Sequence, residues 1–198
     1  MILDLFFSRA GHLIRRMNQI SVAMFLEETR SLGLTTVQYA ALNMIDEVPN
    51  IDQARLSSMI AFDATTLVKV LDRLSEKGLI TRTRSQTDRR KQLLNATAKG
   101  HEVIKRIQPM IDRSEQRLLA PLGPSDRRKF MEMLTQLVNV NNVYSRAPLD
   151  NELLDGLTSR RRQAAGARTK RAARGNRPGA HSGTRHTIGF VRQPHRTA

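Results

Sequence analysis

Apolar residues recur along this chain with two different spacings, and the spacing divides it into elements. Phe6, Ala10, Leu13, Met17, Ile20, Ala23 and Met24 form a stripe of helical period that predicts a long helix over 6–32, closed by Gly33. Thr35 or Thr36 is placed to cap a second helix over 37–47, with Ala40, Ala41, Met44 and Ile45 facing inward, and Pro49-Asn50 breaks it. Asp52 stands before a short helix carrying Leu56, Met59 and Ile60. Ala61-Phe62 reads as a turn, and Asp63 as the cap of a helix reaching about Lys77, on which Leu67, Val70, Leu71 and Leu74 share one face. Thr66, Lys69 and Arg73 occupy the opposite face at i, i+3 and i+7, and Gly78 follows the last periodic residue.

The period then changes. Leu79-Ile80-Thr81-Arg82-Thr83-Arg84 is rich in β-branched residues and predicts a strand, residues 85–90 a polar loop, and Gln92-Leu93-Leu94-Asn95-Ala96 a returning strand. Thr97-Ala98-Lys99-Gly100 opens a long helix through Val103, Ile104, Ile107, Ile111, Leu118 and Leu119, with a kink expected at Pro109. Leu122-Gly123-Pro124-Ser125 reads as a turn whose Ser125 caps a last helix, striped by Phe130, Leu134, Leu137, Val138 and Tyr144.

Two helices joined by a tight turn and followed by a hairpin with a basic tip describe a winged helix. The expected fold is therefore mainly α with a small β wing: a winged helix-turn-helix flanked by long helices. Those flanking helices are apolar on one side and too long for the small winged helix to cover, so they are expected to pair with a second copy of the chain. Two-fold pairing would set two recognition helices for successive major grooves, one helical turn apart.

Charge sharpens this picture. The formal net charge is +15, but 11 of the 33 Lys and Arg fall after residue 158, where there is no acid, leaving 22 basic against 18 acidic residues before it. Two domains are expected: 1–147, the winged-helix and dimerisation domain, and 148–198, a basic tail whose Gly, Ala, Arg, Ser, Thr and Pro composition predicts disorder. Such a tail implies a polyanionic partner. Arg174-Gly175-Asn176-Arg177-Pro178 comes one residue short of a minor-groove AT-hook core, so plain phosphate attraction is the expected role of the segment.

Other chemistry is thin. The absence of cysteine excludes disulfides and thiolate metal sites. The five histidines, His12, His101, His181, His186 and His195, show no metal-ligand spacing on any one predicted helix, and Glu27-Glu28 and Asp46-Glu47 diverge as surface charge. No catalytic residue, metal or cofactor is expected. The methionines sit mostly in apolar stripes, as core fillers do. No apolar run is long enough to cross a membrane and the N-terminus lacks the basic start of a signal peptide, so a cytoplasmic location is expected.

Asp88-Arg89-Arg90-Lys91-Gln92-Leu93-Leu94 fits the pattern D-x-R-x-x-x-L, and Thr97-Ala98-Lys99-Gly100 the pattern T-x-x-G. With residues 71–80 and 34–39, these motifs resemble the MarR family of bacterial transcription regulators over residues 5–144. The resemblance implies a dimeric protein that binds double-stranded DNA at an inverted repeat, often as a repressor, and is released by a small ligand, commonly a phenolic or aromatic carboxylate. It implies that Arg90 takes the minor-groove position with Asp88 orienting it and Arg89 adding charge, and that Thr65, Thr66 and Lys69 lie on the recognition helix. Arg73 and Arg84 complete the expected DNA face. Residues 49–66 look like members controlling aromatic or heteroaromatic acid catabolism. His12, Arg15 and Arg16 on the first helix, with Gln38 and Tyr39 on the second, are the expected ligand residues: a guanidinium fork suits a carboxylate, and histidine or tyrosine a ring hydroxyl or ring nitrogen. The alternative is a nucleoid-type architectural protein that coats DNA with little sequence preference.

The tail supports a direct test. Replacing its 11 basic residues by Gln in the full chain is expected to leave the choice of DNA site unchanged. It should weaken binding to random DNA and flatten the dependence of affinity on salt, because fewer counterions are released.

Overall fold

The computed structural model describes residues 6–88, 90–150 and 156. The chain divides into one unit spanning Met1–Leu154 and a second spanning Asp155–Ala198. Of the expected tail, only 148–150 and 156 are among the described residues, and Arg89 lies outside them.

Helix α1 covers Ala10–Glu28 and α2 covers Thr36–Glu47. The two-residue strand β1 (Ile51–Asp52) leads into α3 (Gln53–Ile60), α4 (Ala64–Glu76), β2 (Ile80–Arg84) and β3 (Gln92–Ala96). The long α5 (Ala98–Leu119) and α6 (Pro124–Asn141) follow. The sheet is antiparallel in the order β1-β3-β2, with Ile51 opposite Leu94 and Arg82 opposite the same Leu94 on the other side. This is the winged helix-turn-helix that the pattern predicts.

Local chemistry sets most boundaries. The Thr35 side chain accepts the Gln38 backbone N–H, while the Gln38 side-chain oxygen accepts the Thr35 N–H, each at 3.2 Å, a complete capping box for α2. Asp52 caps α3 through the Arg55 N–H at 2.9 Å, and Asp63 caps α4 through the Thr66 N–H at 2.8 Å. The turn between them places Ala61 in the left-handed region at φ 52°. Gly78, at φ 68°, closes α4 in the same region, where glycine has no Cβ to clash.

Some expectations are corrected. The first helix does not run unbroken over 6–32: it ends at Glu28 and a 3₁₀ turn, Arg30–Leu32, carries the chain to Gly33. Gly123, not Ser125, caps α6, because Pro124 occupies the first helical position, where its fixed φ and missing N–H cost nothing. Pro109 stands inside α5 without interrupting its span. Strand β1 is too short to show in a periodic pattern. The turn before it puts Asn50 at φ 60°, and two 2.9 Å hydrogen bonds with the Asn95 amide hold it there.

The core sits under the winged helix. Leu34, Leu42, Ile45, Ile51, Leu56, Leu67, Leu71, Leu74, Leu94 and Ile107 are fully buried; on α2 Ala41 and Ile45 are buried as expected, Leu42 joins them, and Ala40 and Met44 are only half-buried. By contrast, the apolar stripes of α1 and α6 lie open: Leu13, Ile14, Met17 and Ile20 on the first, Leu134, Leu137 and Val138 on the second. Glu28 ties α1 to α5 through Arg117 (2.7 Å) and Arg113 (3.2 Å), and those hydrogen bonds, Arg117 first, hold its carboxyl below the usual carboxylate range. The sign follows: this link supports the fold above the ordinary carboxylate pKa and is lost as pH falls through the lowered one. Past Tyr144 the chain returns to the winged helix, where the Asp150 N–H donates to the Ser58 carbonyl at 3.0 Å.

The T-x-x-G motif acquires a physical reason. Thr97 caps α5 through the Gly100 N–H at 3.0 Å, and its hydroxyl also donates to the Gly78 carbonyl at 2.8 Å. A Cβ on Gly100 would lie 2.2 Å from the Leu79 carbonyl oxygen. Gly100→Ala is therefore expected to destabilise the protein by about 1–3 kcal/mol, because the clash is with backbone that cannot rotate away. Thermal melts should show a loss of roughly 2–12 °C.

Candidate nucleic-acid interface

Helix α4 has two faces of opposite character. Leu67, Leu71 and Leu74 are buried, while Thr65, Thr66, Lys69 and Arg73 are all exposed, so the four expected residues share one open surface. The Asp63 carboxylate is committed to the cap: the Thr66 backbone N–H is the main reason its pKa lies below the ordinary value. The Arg73 guanidinium meets Glu76 at 3.0 Å, with both groups exposed. A surface pair of this kind is weak and can be exchanged for a better partner.

The wing is locked to this helix by a residue absent from the expected set. Arg82, half-buried on β2, donates to Asp72 at 2.6 Å and to the Ser75 hydroxyl at 3.2 Å, both on α4. It lies two residues from buried Ile80 and opposite buried Leu94, so the inward period of the strand was the available signal. Arg84, at the end of β2 opposite Gln92, is exposed.

The wing tip is built on Ser85, whose buried hydroxyl accepts the Thr87 and Asp88 N–H groups at 3.3 and 3.2 Å. The Asp88 carboxylate accepts the Arg90 backbone N–H at 3.1 Å. The expectation that Asp88 orients Arg90 is thus modified. The acid fixes the turn that presents Arg90, through the backbone rather than the guanidinium, and the Arg90 side chain extends into solvent.

The five expected ligand residues fall into separate surroundings. His12 and Arg15 line a concavity of about 620 Å³ with Phe6, Arg9, Ala10 and Gly11. The His12 ring meets Phe6 and Phe7 edge-on at 4.9 and 5.2 Å, and its buried Nδ1 has no hydrogen-bond partner among the described residues. Arg16 turns instead to Gln19, at 3.0 Å. Tyr39 stands against Phe25, ring centres 6.0 Å apart, and burial, with Glu115 and Asp112 adding to it, pushes its hydroxyl pKa up. Those two acids make a poor setting for a carboxylate ligand. Gln38 lies elsewhere again, in a groove of about 340 Å³ against α4, lined by Thr65, Thr66, Lys69, Val70 and Arg73. Gln38 and Tyr39 are neighbours on one helix, so their side chains diverge by about 100°.

Among the described residues, no group of three His, Cys, Asp or Glu is arranged to hold a metal, and no helix is long and apolar enough to cross a membrane.

Comparison with known proteins places this architecture. Residues 32–91 match the sequence model of the MarR family. A protein of Thauera aromatica named as the transcriptional regulatory protein for the hcr operon is 32% identical over 134 residues, 66% of this chain and 81% of the relative. The chain belongs to the MarR family. MarR proteins are transcriptional regulators rather than enzymes, and the winged helix described here is their DNA-binding fold. Two solved structures are instructive. The transcriptional repressor CouR bound to a 23-mer DNA duplex is 28% identical, with a TM-score of 0.64 over 67% of this chain and 94% of that one. Bordetella bronchiseptica BpsR, whose DNA binding is regulated by 6-hydroxynicotinic acid, is 26% identical, with a TM-score of 0.63 over the same shares.

In this MarR protein the exposure of Arg90 gives a clean prediction. Arg90→Ala should leave the melting temperature unchanged and weaken binding to a DNA site selected by the wild-type protein by about 1–3 kcal/mol. A gel-shift titration with unchanged affinity would remove Arg90 from the interface.

Proposed function

We propose that this MarR-family protein is a homodimeric repressor that binds an inverted-repeat operator and releases it on binding an aromatic or N-heteroaromatic carboxylate. Thr65, Thr66 and Lys69 meet base edges or flanking phosphates in the major groove, Arg73 adds phosphate contact, and Arg84, Arg89 and Arg90 carry the wing into the adjoining minor groove. The domain 1–147 supplies these contacts and the dimer, while the basic residues of 148–198 add affinity that depends on salt rather than sequence.

The observation that carries the ligand reading is the His12 concavity. The His12 imidazole, whose buried Nδ1 has no partner among the described residues, lines one space with Arg9, Arg15 and Phe6, which suits a flat ring with a carboxylate and one further polar atom. BpsR supplies a ligand of that description in its 6-hydroxynicotinic acid. Of the five residues expected to bind it, His12 and Arg15 are retained as the core of the site, and Arg16 is one turn along the same helix.

Support for the dimer lies in the open apolar faces. Leu13, Ile14 and Met17 on α1, Leu137, Val138 and Val140 on α6, and Val143 just beyond it are all large hydrophobics left to solvent by a single chain. Continuous apolar surface of this kind marks a subunit interface. Ligand binding acts by favouring a separation of the two winged helices that no longer matches successive major grooves, and its effect is limited to its differential affinity for the two separations.

The test has two arms. Footprinting should show protection of a discrete, roughly palindromic site; indiscriminate protection would favour a DNA-coating protein instead. With 6-hydroxynicotinic acid and related aromatic acids as probes, the best ligand should raise the melting temperature by mass action. His12→Ala and Arg15→Ala should then bind DNA normally but require at least about tenfold more of that acid for release, as loss of a charge-assisted bond implies. Release at the wild-type concentration by both variants would move the pocket elsewhere.

A further inference from the structure

The groove between the start of α2 and α4 joins the expected DNA face of α4 to Gln38, a residue expected at the effector site. Its α2 wall is Gln38, and its α4 wall is Thr65, Thr66, Lys69, Val70 and Arg73. Gln38 is half-buried, and its amide is not free to turn. The side-chain oxygen accepts the Thr35 N–H, which fixes which end of the amide is the oxygen and leaves the NH₂ hydrogens to donate. The groove therefore presents amide hydrogens, two hydroxyls, an ammonium and a guanidinium whose partner is an exposed, exchangeable glutamate. Every one of these groups can donate a hydrogen bond, and no carboxylate lines the space.

A recognition helix seated in a major groove has a phosphate strand passing along each side of it. A strand passing on the Gln38 side of α4 would meet this donor set. From this juxtaposition we infer that Gln38 is a DNA-contacting residue: its amide NH₂, fixed by the capping box, donates to a backbone phosphate that Lys69 and Arg73 neutralise. The inference rests on the DNA-binding reading above and removes Gln38 from the effector site. The same side chain thus holds the start of α2 with its oxygen and grips DNA with its nitrogen. A phosphate contact sets the register of the protein on the duplex and carries no base information.

The capping box itself provides the test. In Gln38→Glu the side chain keeps an oxygen for the Thr35 N–H, and glutamate is a preferred residue at this position of the box, so the melting temperature should hold or rise. The same change removes the donor and sets a negative charge against the phosphate. Affinity for a random-sequence 30-base-pair duplex at low salt should fall by about tenfold or more, and by the same factor for a duplex selected by the wild-type protein. The factor should shrink as salt is raised. Gln38→Met, which removes the donor without adding charge, should show a smaller loss in the same direction at temperatures where circular dichroism shows it folded. Wild-type affinity for both duplexes in Gln38→Glu would make the residue a cap alone and overturn the inference. A loss on the selected duplex only would make it a base contact. Normal DNA binding with altered release by an aromatic acid would return it to the effector site. Binding by the wild-type protein in the same titrations tests the DNA-binding reading separately, since the inference is read only from the ratio of variant to wild type.

Discussion

The DNA-binding lobe depends on one crowded junction, where the end of α4, the start of β2 and the start of α5 meet on the backbone of Gly78 and Leu79. Thr97 donates its hydroxyl to the Gly78 carbonyl at 2.8 Å and its N–H to that of Leu79 at 3.0 Å, and Lys99 reaches the Lys77 carbonyl at 2.8 Å. Gly100 lies so close to Leu79 that no side chain fits between them. Three carbonyls that a helix end would leave to water are thereby used to attach the long α5 to the recognition helix. The start of α5 is thus tied to the chain leaving α4 by one main-chain bond and two side-chain bonds.

Around that junction the charges are arranged to hold elements together at two separate places. Arg82 joins the wing to α4, and Glu28 joins α1 to α5 through Arg113 and Arg117. The exposed basic residues, by contrast, are left for other partners: Lys69 and Arg90 point into solvent, and Arg73 is held only by a surface glutamate. Cations with structural duties are thus distinguished from cations available to a ligand by the acid partners that hold them, and not by residue type.

The fold was readable because its signals are local. Asp52, Asp63, Thr35 and Thr97 each cap a helix through a backbone N–H three residues on, and the leucines of α4 repeat within one helix. Ser125 was misread because serine and proline both signal a helix start, and the proline prevailed. What could not be read was grouping in space. Gln38 and Tyr39 share the start of one helix, yet Gln38 borders the groove against α4 while Tyr39 stands against Phe25. Arg82 carries no motif of its own, and only its inward register next to Ile80 sets it apart from the other arginines of the hairpin. The stripes on α1 and α6 were visible as apolar, but a stripe does not say whether its own chain covers it.

The Arg82 bridge has a consequence for the DNA that such a protein can recognise. With the wing strand fastened to α4 at 2.6 Å from Asp72, the offset between the surfaces that these two elements would present to DNA is set within the protein. B-form DNA turns once in about 10.5 base pairs, so a single base pair inserted between those two contacts would rotate one against the other by about 34°. A rigid lobe cannot follow that rotation. Substitutions within a recognition site would thus be tolerated in proportion to the bonds they remove, whereas insertions and deletions inside it would be rejected outright.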